Sequence, residues 1–133
     1  MKTFQIRGHE DGQTMVEFAL VLPILLIILL GIVQYGIAFK NSLALTDAVR
    51  AGARKAAVSR SLNNCDTGAA QQAVRDSAVD LTTSDVQPTV TFAPGCEAGA
   101  SVTVSATYPY SIDILGFVVT SGTSHSQTVE RVE

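Results

Sequence analysis

The chain has 133 residues, a formal net charge of −3 and a hydrophobic content of 47%. This length leaves room for one small domain beside a membrane segment. The acidic balance, without a dense basic stripe, argues against a nucleic-acid partner.

The first twelve residues, Met1 to Gly12, are mostly polar and carry Lys2 and Arg7 against Glu10 and Asp11. A secretory signal peptide has a short apolar stretch that precedes its cleavage site. Here the apolar stretch is long and follows the polar head. The head is therefore not read as a signal peptide of that kind.

An uncharged apolar segment of 22 residues runs from Phe18 to Phe39. At about 1.5 Å per helical residue it spans roughly 33 Å, close to the thickness of a bilayer's hydrocarbon core. The segment predicts one transmembrane helix, in which Pro23 favours a kink. Glu17 precedes it directly, and a carboxylate there costs free energy unless it is paired or stays among the headgroups.

A polar head, Gly12, four residues, Glu17 and an apolar helix together form the layout of a type IV prepilin. Within that superfamily, the run from Gly12 to Leu26 (GQTMVEFALVLPILL), followed by residues 31–36 (GIVQYG), resembles the N-terminal signature of TadE-like proteins. These proteins are minor pilins or pseudopilins of the bacterial tight-adherence (Flp-type) pilus system. The resemblance extends to about Ala57 and is weaker beyond it.

The resemblance implies that a prepilin peptidase cleaves after Gly12, so that Gln13 becomes the new N-terminus and Glu17 the fifth mature residue. It implies a structural subunit or assembly factor rather than an enzyme, and it implies no cofactor. The implied partners are other pilin and pseudopilin subunits, a pilus assembly platform and its secretion ATPase. The implied location is the bacterial inner membrane, crossed once, with the C-terminal domain extracytoplasmic, before entry into surface pili or assistance in building them.

Two other classes of function stay open. The helix could be an uncleaved single-pass anchor for a binding module of the bacterial envelope, which would need neither Gly12 nor Glu17. A membrane-bound enzyme would need a site built from scattered residues. His125 lies between Ser124 and Ser126 in a predicted strand, where neighbouring side chains point to opposite faces, and neither His9 nor His125 has metal ligands at suitable spacing.

The orientation suggested by charge differs from that of a prepilin. Lys40, Arg50, Arg54, Lys55 and Arg60 follow the apolar segment, and counting them would place the C-terminal side in the cytoplasm. We expect the opposite orientation, because the prepilin resemblance requires it and because much of this charge belongs to a helix that continues away from the membrane.

The first helix is predicted to continue to about Leu62, since no proline or turn cluster interrupts it after Phe39. Its outer part carries a stripe of small residues at every fourth position: Ala44, Ala48, Gly52 and Ala56. Small residues allow another element to approach the backbone closely. The stripe predicts packing against either the chain's own sheet or a neighbouring subunit.

The remaining residues predict a small domain over 63–133, after a leader at 1–12 and a long helix at 13–62 whose transmembrane part is 18–39. A second helix is expected over 69–81, capped by Asp66 or Thr67, with Ala70, Ala73, Val74 and Ala78 on its inner face. Alternating Val and Thr predict antiparallel strands at 86–92, 101–110 and 124–132. The fold class is α+β and type IV pilin-like, and residues 112–119 form an apolar connection with no assigned role.

Cys65 and Cys96 are the two cysteines, and they lie in separate predicted loops. In a small extracytoplasmic domain, a structural disulfide between them is expected. Two buried free thiols and a metal site are the alternatives.

Overall fold

The computed structural model describes residues 10–59 and 65–133. Its elements are α1 (Glu10–Ala57), α2 (Thr67–Ser77), β1 (Gln87–Ala93), β2 (Ser101–Ile114) and β3 (Phe117–Arg131). This is the predicted α+β layout. Nine residues of the expected leader, His9 among them, lie outside the described residues. The predicted helix end at Leu62 also falls outside them, and α1 is described as far as Ala57.

The helix α1 is one element of 48 residues that continues through Pro23. At about 1.5 Å per residue it is roughly 72 Å long. Every large apolar side chain from Met15 to Phe39 is exposed, by 36% to 73%. Farther along, Leu45, Val49 and Ala53 are fully buried. The first part of α1 therefore exposes an apolar surface that lipid or other helices could cover, and the last part forms one wall of the small domain.

The small-residue stripe on α1 packs inside the chain's own domain. Ala48 and Ala56 are fully buried, and Ala44 packs at the edge of the core. A Cβ atom placed on Gly52 would overlap Val74 Cγ2 and would lie 3.2 Å from the Ala70 carbonyl oxygen. At Gly52 the backbone of α1 thus lies so close to α2 that there is no room for a side chain. The predicted stripe therefore packs against α2 as well as against the sheet.

The helix α2 begins where the cap was expected and ends earlier than predicted. Asp66 Oδ1 accepts a hydrogen bond of 2.8 Å from the Gly68 N–H. At the other end, the Ala78 N–H donates to the carbonyls of Val74 and Arg75, and the chain turns at Leu81. Leu81 is buried. It therefore fits the apolar spacing that predicted a longer helix, although it lies after the end of α2.

The sheet is antiparallel in the order β1-β2-β3. Val102, Val104 and Ala106 on β2 are buried against the helices, whereas Ser101, Thr103 and Ser105 alternate with them on the more exposed face. Strand β2 therefore has one buried face and one more exposed face.

The chain's last residues close the core. Val132 is buried, and its N–H donates to the Ala100 carbonyl over 2.8 Å. The next N–H, of Glu133, donates to the Ala57 carbonyl over 3.1 Å. This bond satisfies one of the carbonyls that the end of a helix leaves without an intrahelical partner.

The connection expected at 112–119 is the end of a long β-hairpin. Strand β2 continues to Ile114 and β3 starts at Phe117, with a register shift at Ile112 and Asp113. The two turn residues, Leu115 and Gly116, have φ angles of 53° and 86°. Positive φ at both positions matches the twist of a two-residue hairpin.

The core is built from small side chains. Among the described residues, eight of the sixteen buried apolar residues are alanine, so each contributes little apolar area. Cys65 and Cys96 are joined by a disulfide with their Cα atoms 6.1 Å apart, within the usual range for such a bond. The bond ties the start of α2 to the β1–β2 connection, where it can supplement a thin core.

We expect loss of this disulfide to lower the free energy of unfolding of the domain by about 3–4 kcal/mol, the chain-entropy value for a loop of this length. Chemical denaturation of the full chain in detergent, followed by circular dichroism, measures it. Cys65→Ser, Cys96→Ser and the double variant should all lose the same amount. Losses that add in the double variant would mean that the two sulfurs are not bonded.

We expect Gly52→Ala to destabilise the domain by about 1–3 kcal/mol, because the new methyl overlaps Val74 in a packed interface. The same denaturation measurement applies. Gly36→Ala is the matched control, since a Cβ there meets nothing within 4 Å. Val74→Ala should cost less in the Gly52→Ala background than in the parent chain, and equal costs in both would contradict the overlap.

Candidate functional site at the start of the apolar helix

Gly12 lies in the first turn of α1, which begins at Glu10. A Cβ added to Gly12 would meet nothing within 4 Å, so the backbone is open to an approaching protein. The first N–H groups of a helix have no intrahelical partner, and glycine costs a helix about 1 kcal/mol relative to alanine. Gly12 therefore weakens the helix at its start.

Gln13 and Glu17 face each other across one turn of α1. Gln13 Nε2 donates a hydrogen bond of 3.1 Å to Glu17 Oε1, and both side chains are exposed. Residues four apart on a helix are neighbours on one face, so the carboxylate reaches the level of residue 13. Glu17 is also the single acidic residue between Gly12 and Asp47. The Gln13 amide and the Glu17 carboxylate therefore lie on one face at the start of α1.

The helix beyond Glu17 fits a membrane span. It is the one helix among the described residues that is long and apolar enough to cross a membrane, and none of its most apolar window is buried within the protein. The first charge after this window is Lys40, whose Nζ lies 3.1 Å from Asp80 Oδ2. The span thus ends where the chain first meets an ion pair with the small domain.

The structure brings together only some of the residues predicted to have a role. Gly12, Gln13 and Glu17 form one cluster. The stripe starting at Ala44 lies roughly 46 Å farther along the helix axis. The disulfide lies beyond the stripe in the small domain. These are three separate features with separate physical roles, and they do not form a single site.

Ser124 and His125, considered above for catalysis, lie in different surroundings. Within the described residues, no group of three or more His, Cys, Asp or Glu side chains could hold a metal ion. Ser124 donates to Ser42 Oγ on α1 over 3.3 Å, while the neighbouring His125 is exposed. Ser124 therefore ties β3 to α1.

Residues 12–54 match the family model described as TadE-like protein. The N-terminal helix is thus similar to that of TadE-like proteins. The match begins at Gly12, includes Glu17 and the whole apolar span, and ends inside α1, so it confirms the resemblance seen in the sequence. No curated protein and no solved structure matches the chain. The small domain after α1 is therefore described from its own structure.

Sequence reasoning missed the link between Lys40 and Asp80. Both side chains are more than half exposed. Such a pair stabilises weakly. The pairing depends on how α2 packs against α1, and no local pattern in the sequence reveals it.

Proposed function

We propose that this TadE-like chain is a pseudopilin of a tight-adherence pilus, trimmed after Gly12 and assembled through α1. The carrying observation is the position of Glu17, five residues after Gly12 and at the start of an apolar helix that the rest of the domain leaves largely exposed. The TadE-like match supports a membrane protein related to this pilus system. The subunit would join the filament or assist its assembly.

The exposed surface of α1 supports assembly through the helix. Large apolar side chains stay in contact with the surroundings throughout the span, which is stable only in lipid or against other apolar helices. A pilin helix meets both environments in turn, because it leaves the membrane when it enters a bundle of helices. The small domain, which packs on the far end of α1, would then lie on the outside of that bundle.

Cleavage would change the charge at the start of α1. It would remove Glu10 and Asp11 together with the leader and would create an amine on Gln13. That amine is largely protonated at neutral pH and lies at the positive end of the helix dipole, where a cation is disfavoured. Glu17 offsets this charge, on its own chain or on an adjacent subunit. A subunit with this pair could enter an apolar bundle without an isolated charge.

The positions of the basic residues are compatible with an extracytoplasmic domain. Arg50, Arg54 and Lys55 lie roughly 16–24 Å beyond Phe39 along the helix axis, farther than charges act through physiological salt. Lys40, the nearest cation, is paired with Asp80. The paired cysteines fit the oxidising side of the membrane. The count of positive charges therefore weighs little against the prepilin orientation.

We expect mass spectrometry of the protein from native membranes to find a chain that starts at Gln13. Gly12→Val should block this trimming, because a branched side chain hinders both the extended backbone and its fit in a narrow protease site. Gly36→Val is the matched control, since that position is equally open, and it should leave trimming unchanged. An intact leader on the parent chain in cells with an active prepilin peptidase would contradict the proposal.

We expect Glu17→Ala to allow membrane insertion and trimming but to impair incorporation into pili. Removing one partner of a desolvated pair leaves the other charge uncompensated, at a cost of about 3–5 kcal/mol. Glu17→Gln should be nearly as damaging, because it keeps the shape and loses the charge. Counting pili by electron microscopy and measuring surface adhesion at equal protein levels gives the result.

Asp47→Ala is the control for loss of an acidic group on the same helix. Asp47 is exposed, and its ion pair with Arg50 is a loose one of 3.5 Å, so this variant should assemble normally. A simple membrane anchor for a binding module has no need of Glu17. Normal piliation and adhesion of the Glu17→Ala strain would therefore favour the anchor function.

A further inference from the structure

The hairpin end formed by residues 112–119, called the tip segment below, lies beside the apolar part of α1. Ile114 Cδ1 is 3.8 Å from the position that a Cβ on Gly31 would occupy. Leu115 lines an apolar groove with α1 side chains that include Leu26 and Leu30. The hairpin thus extends past the small domain and alongside the segment that is expected to cross the membrane.

The polarity of the hairpin and of α1 changes at the same level. Tyr35 and Phe39 on α1 line one groove together with Tyr110 and Ile112 of the hairpin. Tyrosine is enriched where a membrane meets water. On one side of this level lies the Lys40–Asp80 ion pair. On the other side, α1 carries no charge back to Phe18, and the tip segment carries only one, on Asp113.

The tip segment exposes large apolar side chains to its surroundings. Leu115 is 72% exposed, Phe117 78%, Val118 63% and Val119 62%. An exposed apolar patch on a protein usually marks a contact with a partner or a membrane. Here the patch is continuous with the apolar surface of α1. When α1 spans the bilayer, the same apolar surroundings therefore cover both surfaces.

We propose that the tip segment is a second membrane contact, immersed in the outer leaflet beside α1, with lipid acyl chains as its occupant. This inference rests on the proposed insertion of α1. The contact between Ile114 and Gly31 lies roughly 12 Å below Phe39 along the axis, which is less than half of a hydrocarbon core of about 30 Å. The turn at Leu115 and Gly116 follows Ile114 directly, so the tip segment is placed mainly in one leaflet.

Two features keep this immersion shallow. Strand β1 pairs with β2 only as far as Thr107, so the hairpin below that residue is a two-stranded ribbon with unpaired edges. Hydrocarbon does not tolerate open edges that extend deep into the bilayer. Asp113, which accepts a hydrogen bond of 3.2 Å from Ser111 Oγ, also favours a position close to the headgroups. The tip segment therefore dips into the leaflet and does not cross it.

Tryptophan scanning tests the immersion directly, because the chain contains no tryptophan of its own. The full chain is reconstituted into phosphatidylcholine vesicles with and without brominated acyl chains, which quench tryptophan on contact. Phe117→Trp, a conservative change at an exposed site, should emit at shorter wavelength and lose intensity in brominated lipid. Val118→Trp is a second probe in case the first variant folds poorly.

Val129→Trp is the matched control, since it is an exposed residue near the other end of β3 and should be neither shifted nor quenched. Ile28→Trp reports whether α1 itself is inserted. Emission from Phe117→Trp like that of Val129→Trp would overturn the inference. A shift to shorter wavelength without quenching would also overturn it, because a second copy of the chain would then cover the tip segment. Loss of quenching at Ile28→Trp as well would instead show that the proposed span fails.

Discussion

A helix that fits a membrane span continues into the wall of a folded domain, and the rest of the structure depends on this continuity. Inside a bilayer no water is available for backbone groups, so a spanning segment has to satisfy its hydrogen bonds internally. Outside the bilayer a lone helix needs tertiary packing. In α1 one continuous helical backbone serves both conditions, apart from the hydrogen bond that Pro23 cannot donate, and the side chains change along its length. Large apolar residues cover the first part, and alanine and glycine prepare the second part for close packing.

The close approach at Gly52 determines the character of the small domain. With no side chain at that position, α2 lies against the backbone of α1, and the sheet closes over the same helix. Close packing gives many weak dispersion contacts, but the alanine-rich core that permits it buries little area per residue. The domain therefore depends on geometric fit and on a covalent tie more than on a large apolar interior. This is a usual solution for domains of limited size.

Features that depend on neighbouring residues could be predicted from the sequence. The helix spacing alone places Gln13 beside Glu17, the position of Asp66 predicts a cap, and the alternation from Ser101 to Tyr108 predicts a two-sided strand. Features that depend on distant residues could not. Leu81 continued the apolar period of α2, yet its role is in a turn. The hairpin tip lacks the Asn-Gly or Asp-Gly pair that signals a tight turn, and its apolar run does not alternate, so only the structure shows that Leu115 and Gly116 reverse the chain beside α1.

The end of α1 is held by residues that lie far away in the sequence, and this has a consequence for folding. Val132 fills the core beside β2, and the Glu133 N–H pairs with the Ala57 carbonyl. Contacts between residues so distant in the chain close large loops, which makes them slow to form. The alanine-rich interior is therefore covered late in folding, once β3 has paired with β2.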